Sequence, residues 1–267
     1  MGLALAAPLG AAVHGVEGAM VRDSVLTIDS SVRALPARAF ADRTDFHSVV
    51  FAGRPALTEI GDYAFLGCAN LREVVLPRGV RKIGEGAFRE CSALMRIVIP
   101  AGVRKLDRYT FSWCANLSEV VLPANLADIG SGCFSYCTSL RHISLPGAVT
   151  HIGANVFSFC TSLEEIVFPS AITELESYAC SECRSLRRAT LPGNRHLLGE
   201  LIFSGCQNLE SITIDSATPP PFDCNSTLFE ENERFMYSRC RLVVPAKAVD
   251  AYRRAPSWRL FTDISPL

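Results

Sequence analysis

The sequence has no excess of charge of either sign: 26 Lys and Arg stand against 27 Asp and Glu, a formal net charge of -1 over 267 residues. Nucleic acid and anionic membranes are held first through charge, so neither is an expected partner. No apolar run approaches the roughly 20 residues that cross a bilayer as a helix. The five histidines, His14, His47, His142, His151 and His196, are scattered, with none in a zinc spacing and none beside a matched acid and nucleophile. No catalytic residue, metal site or cofactor is therefore expected, and the chain does not read as an enzyme. Residues 1–13 (MGLALAAPLGAAV) have the apolar centre of a secretory signal, but no Lys or Arg precedes it and no lipid-acceptor Cys follows. The stretch reads as a poor signal, or as the remnant of one if the true start lies upstream.

What the chain does have is a repeat. Hydrophobic residues make up 49% and charged residues 20%, enough apolar surface to fold around a core. Aligned at Ile60, Ile83, Leu106, Ile129, Ile152, Leu175 and Leu198, seven units follow at intervals of 23 residues without insertion. Each approximates I-G-x-x-A-F-x-x-C-x-x-L-x-x-V-x-L-P-x-x-V-x-x. A looser unit, two residues longer, runs through Leu35, Phe40, Phe46, Val49 and Phe51, and Val25–Ile28 reads as the strand of an incomplete first turn. A fixed period of this length containing L-x-x-L-x-L is the signature of a leucine-rich-repeat solenoid. The expected fold is an α/β right-handed array with a parallel β-sheet on its concave face. Short helical or 3-10 turns form its convex face, and a cap closes the C-terminus.

The chemistry of one unit explains its shape. Leu71, Val74 and Leu76 point three apolar groups inward along a short strand, and Pro77 ends it because proline has no N–H for the ladder. Phe65 and Cys68, three residues apart, share one face of a helix or 3-10 turn. Stacking at about 4.8 Å turns equal positions into columns. The phenylalanine column is Phe40, Phe65, Phe88, Phe111, Phe134, Phe157 and Phe203, interrupted by Cys180. Past residue 214 the register fails at Pro219, Pro220 and Pro221. It resumes at Leu242, Val243, Val244 and Pro245, followed by a short amphipathic helix over 246–254 and by Trp258, Phe261 and Ile264 as closing apolar groups. The chain divides into an apolar segment (1–20), an N-terminal cap with the loose repeat (21–59), the seven repeats (60–216) and an insertion with the C-terminal cap (217–267).

The same columns absorb most of the eleven cysteines. Cys68, Cys91, Cys114, Cys137, Cys160, Cys183 and Cys206 share one repeat position, where a free Cys acts as a small buried hydrophobe. Cys180 and Cys183 spell a C-S-E-C redox shape, but no thioredoxin-like context surrounds it. Cys133 replaces a small alanine, and Cys224 and Cys240 could pair in an oxidising compartment.

Candidate binding residues lie on the outward strand positions of the concave face. One row holds Val50, Val75, Val98, Val121, Ser144, Val167, Thr190, Thr213 and Val243. Beside it run Ser48, Glu73, Arg96, Glu119, His142, Glu165, Arg188 and Ser211. Contiguous exposed valine marks a contact surface, although β-branched residues also simply suit strands. The charged row alternates in sign, which relieves repulsion between neighbouring strands. A second candidate is the convex cluster Trp113, Tyr136 and Phe159, a contact patch or a set of rings shielding one another.

The run IGDYAFLGCANLREVVLPRGVRKIGEGAF (60–88) closely resembles the BspA-type leucine-rich repeats of Bacteroides, treponemes and some parasitic protists. The tail CRLVVPAKAVDAYRRAPSWRLF (240–261) looks like the C-terminal cap of the bacterial members, so the resemblance spans 25–264. It implies a non-enzymatic surface or secreted protein, an adhesin that binds host extracellular matrix or another cell. The alternative is a cytoplasmic or periplasmic scaffold of the same fold. In either case the partner is another protein, and self-association stays open.

Overall fold

The computed structural model describes residues 11–12, 16–193, 198–221, 227–230 and 233–267. Most of the apolar segment 1–20 and the expected Cys224 pairing lie outside these residues, as do His14 and His196. The described chain winds as a leucine-rich-repeat solenoid with little helix. Its concave strands are Val25–Ile28, Ser48–Phe51, Glu73–Val74, Arg96–Val98, Glu119–Val121, Glu165–Val167, Arg188–Leu191, Ser211–Ile214 and Arg241–Val244. Every pair formed between successive members of this set is parallel. The loose unit is accommodated by its loop: Leu35 pairs with Ile60 across 25 residues, whereas Leu106 pairs with Ile129 across 23. Its extra two residues fall between Phe51 and the buried Leu57.

A second parallel column runs through the residues that open each repeat. Ala34–Leu35, Glu59–Ile60 and Lys82–Ile83 form one piece; Lys105–Leu106, Asp128–Ile129, His151–Ile152 and Glu174–Leu175 form another. The sequence reading placed a single sheet on the concave face. Two-residue strands with one buried Ile or Leu each show no alternation to detect.

The convex segments are runs of tight turns closed by i to i+3 bonds, such as Cys68 N–H to the Phe65 carbonyl at 3.2 Å. They are successions of separate turns, neither the α-helix nor the 3-10 turn expected from the Phe–Cys spacing. Between turns a third column of backbone bonds forms. Phe65 N–H donates to the Ala87 carbonyl (2.7 Å), Phe88 to Thr110 (2.9 Å) and Phe111 to Cys133 (2.9 Å). Residues two before and two after each column Phe take left-handed φ, as at Tyr109 (56°) and Trp113 (63°) around Phe111. Alternating right- and left-handed conformations aim every second N–H along the stack, at a cost of about 1 kcal/mol for each non-glycine residue. Gly86 and Gly132 occupy the first of these positions, and a Cβ on either would meet the ring of Tyr63 or Tyr109 at 2.5 Å.

The core is the sum of the columns. Phe65, Phe88, Phe111, Phe134 and Phe157 stack with centroids 5.1 to 5.8 Å apart and planes within 7° of parallel. The aligned cysteines are fully buried beside them. Each column thiol from Cys68 to Cys183 donates to the carbonyl of a column Phe in the preceding turn, as in Cys114 Sγ to the Phe88 carbonyl at 3.1 Å. At Cys180 the ring column is interrupted. Phe168 stands there among Leu and Ile counterparts such as Leu76 and Ile99, and Ile202 stands where earlier units have Ala64 and Ala87.

The ends are closed differently. At the N-terminus Ala19–Arg22 and Val25–Ile28 form an antiparallel hairpin, turning through Asp23 and Ser24 at positive φ. Only Val25–Ile28 was legible as a strand, because Asp-Ser is an unusual pair for a turn that favours Asn-Gly. At the C-terminus Ile264–Pro266 adds one more parallel strand to Arg241–Val244. Helix Val249–Arg254 and the buried Trp258 cover the last turn, and the Trp258 indole donates to the Pro220 carbonyl at 2.9 Å. Both additions shield sheet edges that would otherwise pair with other chains.

The junction between Glu73–Val74 and Arg96–Val98 departs from the ladder. No strand pairing joins Glu73–Val74 to Arg96–Val98, nor Lys82–Ile83 to Lys105–Leu106. The bond from Gly84 N–H to the Ile60 carbonyl (2.9 Å) and that from Gly130 to Leu106 (2.9 Å) have no counterpart from Asp107 to Ile83 among the described residues. The turns behind stay joined, through Gly86 to Arg108, Phe88 to Thr110 and Glu90 to Ser112. A slot therefore opens between 73–78 and 96–101, while behind it Gly102 lies close against the Val80 carbonyl. Asp107 replaces the glycine of Gly61, Gly84, Gly130 and Gly153, yet Glu176 does the same without breaking its ladder. The side chain at that position alone does not account for the slot.

Candidate functional site

The concave strands place alternate residues inward and outward, so Val74 is buried while Val75 is 72% exposed. The same alternation leaves Val50, Val98, Val121 and Val167 between 39% and 51% exposed. Val50, Val75, Val98 and Val121 come from four successive turns, with Met95 exposed beside them. The row then changes character. Segment 142–144 forms no strand, Ser144 replaces valine, and Thr190, Thr213 and Val243 are half-buried. The continuous concave sheet expected from the uniform repeat is thus divided on either side of His142, which is itself exposed.

The slot opens within the four-valine run. It is a groove of about 590 Å³ whose walls include Val75 and Leu76 on one side and Met95, Val98 and Ile99 on the other. A shallower groove of about 540 Å³ continues from it along Val50, Phe51 and Pro55. Arg72, Glu73, Arg78 and Arg96 rim the apolar walls. The charged row largely pairs within itself: Arg96 Nε lies 2.7 Å from Glu119 Oε1, and Arg188 Nη2 lies 3.0 Å from Glu165 Oε2. All four side chains are well exposed, so the pairs contribute little stability and remain available for recognition.

The convex cluster is a stack. Trp113 and Tyr136 lie 3.9 Å apart with planes 7° from parallel, and Tyr136 and Phe159 follow at 4.4 Å and 6°. The three rings pack face to face, and Trp113 is 47% exposed. The left-handed φ at all three is the feature shared with Gly67, Glu90, Glu182 and Gly205 in the same column. Those two glycines were the signal in the sequence for this backbone.

The cysteines form no site. The ten described are buried and free, and burial pushes their thiols up, to about 12 at Cys160. A thiol so far from ionising is neither nucleophile nor redox centre. At pH 8 these cysteines should resist iodoacetamide in the native protein and react fully in denaturant. Labelling of a column cysteine without unfolding, read by peptide mass mapping, would contradict the buried-rung role.

One polar cluster was not legible from the sequence. His151 Nδ1 lies 3.0 Å from Asp128 Oδ1, and Nε2 lies 2.9 Å from Glu176 Oε1 and 4.0 Å from Glu174 Oε2. Burial works to lower the imidazole pKa, but the bonds to Glu176 and Asp128 outweigh it and hold the group above its ordinary value. These residues are 23 and 25 apart in the chain and meet only because the period stacks them. A search for local ligand spacing passes over such a set.

Parallel columns, inward leucines and phenylalanines, and outward strand rows define a leucine-rich-repeat scaffold, a class built to present a surface to another protein. The chain belongs to the BspA type leucine-rich repeat family, whose profile matches six copies over residues 24–141 and 128–220. No curated protein matches it. Among solved structures, a leucine-rich repeat protein from Bacteroides ovatus is similar in fold. It is 22% identical with a TM-score of 0.58, over 84% of this chain and 67% of that one. A Treponema pallidum leucine-rich repeat protein is 25% identical at a TM-score of 0.45, covering 74% of this chain and 81% of its own. A leucine rich cell surface protein of Faecalibacterium prausnitzii is 19% identical at 0.44, covering 91% and 79%. The family is generally a non-enzymatic repeat scaffold, and no helix among the described residues is long and apolar enough to cross a membrane.

Proposed function

We propose that this chain captures a protein partner on its concave face, through the valine row between Val50 and Val121, and works as an adhesive or host-binding protein at the cell surface. The observation that carries the reading is the groove at Val75 and Val98. Exposed Val75 and Val98 line an apolar slot rimmed by charge, with Val50 on the adjoining groove and Val121 continuing the row, the apolar-centre and polar-rim layout of a recognition surface. Self-association through the same face is a variant of this reading.

Trypsin applied to intact cells tests the location. Loss of the protein before lysis is expected. Protection until lysis would overturn surface display and leave an intracellular or periplasmic scaffold, a second reading favoured by the ten free thiols, which suit a reducing compartment.

A further inference from the structure

We propose that His151, Glu174 and Glu176 form a binding site for one divalent transition-metal ion of the zinc or manganese class, oriented by Asp128. Four features point to it. The three ligand atoms come from two successive turns, His151 from one and both glutamates from the next, and all lie within 4.8 Å of one another. A tetrahedral ion with bonds of about 2.0 Å sets its ligands about 3.3 Å apart. The Nε2 distances of 2.9 Å to Glu176 and 4.0 Å to Glu174 bracket that value, so side-chain rotation of the exposed Glu174 is what closes the shell.

Asp128 supplies the second feature. It accepts from His151 Nδ1 and so holds the ring with Nε2 facing the two glutamates, the arrangement by which a carboxylate orients a metal-binding imidazole. The third feature is charge. Three carboxylates meet one imidazole, and none of the ion pairs among the described residues joins Asp128, Glu174 or Glu176 to Lys or Arg. The column elsewhere balances itself, as Glu59 and Lys82 do at 2.6 Å. The fourth is a departure from the repeat: Glu176 replaces the glycine found at Gly130, Gly153 and Gly199, and its second oxygen is pinned by the Ala154 N–H at 2.9 Å.

Binding exchanges a proton for the ion. The proton between Nε2 and Glu176 leaves to solvent, and Nε2 and the two carboxylates each donate an electron pair. One nitrogen and two oxygens suit zinc or manganese better than calcium, which takes six to eight oxygens. A fourth position stays open to water.

The test is calorimetric titration of the chelator-treated full chain with zinc or manganese chloride, with the thiols kept reduced. One ion per chain and a raised melting temperature are expected. His151→Gln and Glu176→Gln should each lower affinity at least tenfold, Asp128→Asn about tenfold, and Cys224→Ser not at all. Matching far-UV spectra and melting curves of the metal-free variants show that they are folded. Absence of binding to the wild-type chain, or equal binding by His151→Gln, would overturn the site and reduce the cluster to a histidinium between acids. Either result is independent of capture on the concave face.

Discussion

Lysine at both Val75 and Val98 abolishes capture of the protein partner. The expected loss is on the order of 100-fold in affinity, because two central apolar contacts are replaced by ammonium groups that binding must desolvate. Both side chains are exposed and neither contributes to the buried columns. The folded state should therefore change by no more than about 0.5 kcal/mol, and the melting temperature by no more than about 2 °C. Surface plasmon resonance against whichever protein the chain retains from host extracellular matrix, beside a melting curve, reads both quantities. Unchanged affinity would remove the groove from the site and transfer the role to the stacked Trp113, Tyr136 and Phe159. Trp113→Ala should then be the damaging change.

Phe111→Ala should cost about 3 to 5 kcal/mol, the range for deleting a fully buried ring whose surroundings cannot collapse. Phe111 has Phe88 at 5.5 Å on one side and Phe134 at 5.6 Å on the other, and the backbone bonds of the convex turns hold those neighbours at fixed spacing. Phe111→Leu keeps most of the volume and should cost less than half as much. Urea unfolding measures both. A loss below about 1 kcal/mol for the alanine variant would mean that the column closes over the gap, contrary to the rigid packing proposed here. Cys180 marks the one position among the described repeats where the natural column lacks the ring, and it is itself fully buried.

The parts of the fold legible in the sequence are those that write themselves in side chains. Val74 inward and Val75 outward follow from strand alternation, and a Cys or Phe recurring every 23 residues declares its column. The second sheet is silent because its strands are two residues long. The left-handed turns are nearly silent because Trp113, Tyr136 and Phe159 occupy a place where only Gly67 and Gly205 betray the backbone. The slot is wholly silent. Ile97 and Ile143 continue the pattern without a mark, although the first pairs with Val120 but not with Val74 and no strand forms at the second. The candidate concave residues were found because exposure follows directly from strand phase. The His151 cluster was missed because its members are neighbours only after stacking.

The slot also bears on how force and fluctuation pass along the molecule. In a linear array each turn leans only on its neighbours, so cooperativity is transmitted joint by joint. Strand pairing lapses between Glu73–Val74 and Arg96–Val98, which divides the concave strands into separate blocks at that joint. Val75 belongs to one block and Val98 to the other. A partner seated across both would splint the joint, so occupancy of the concave face would register as stiffening of the whole array.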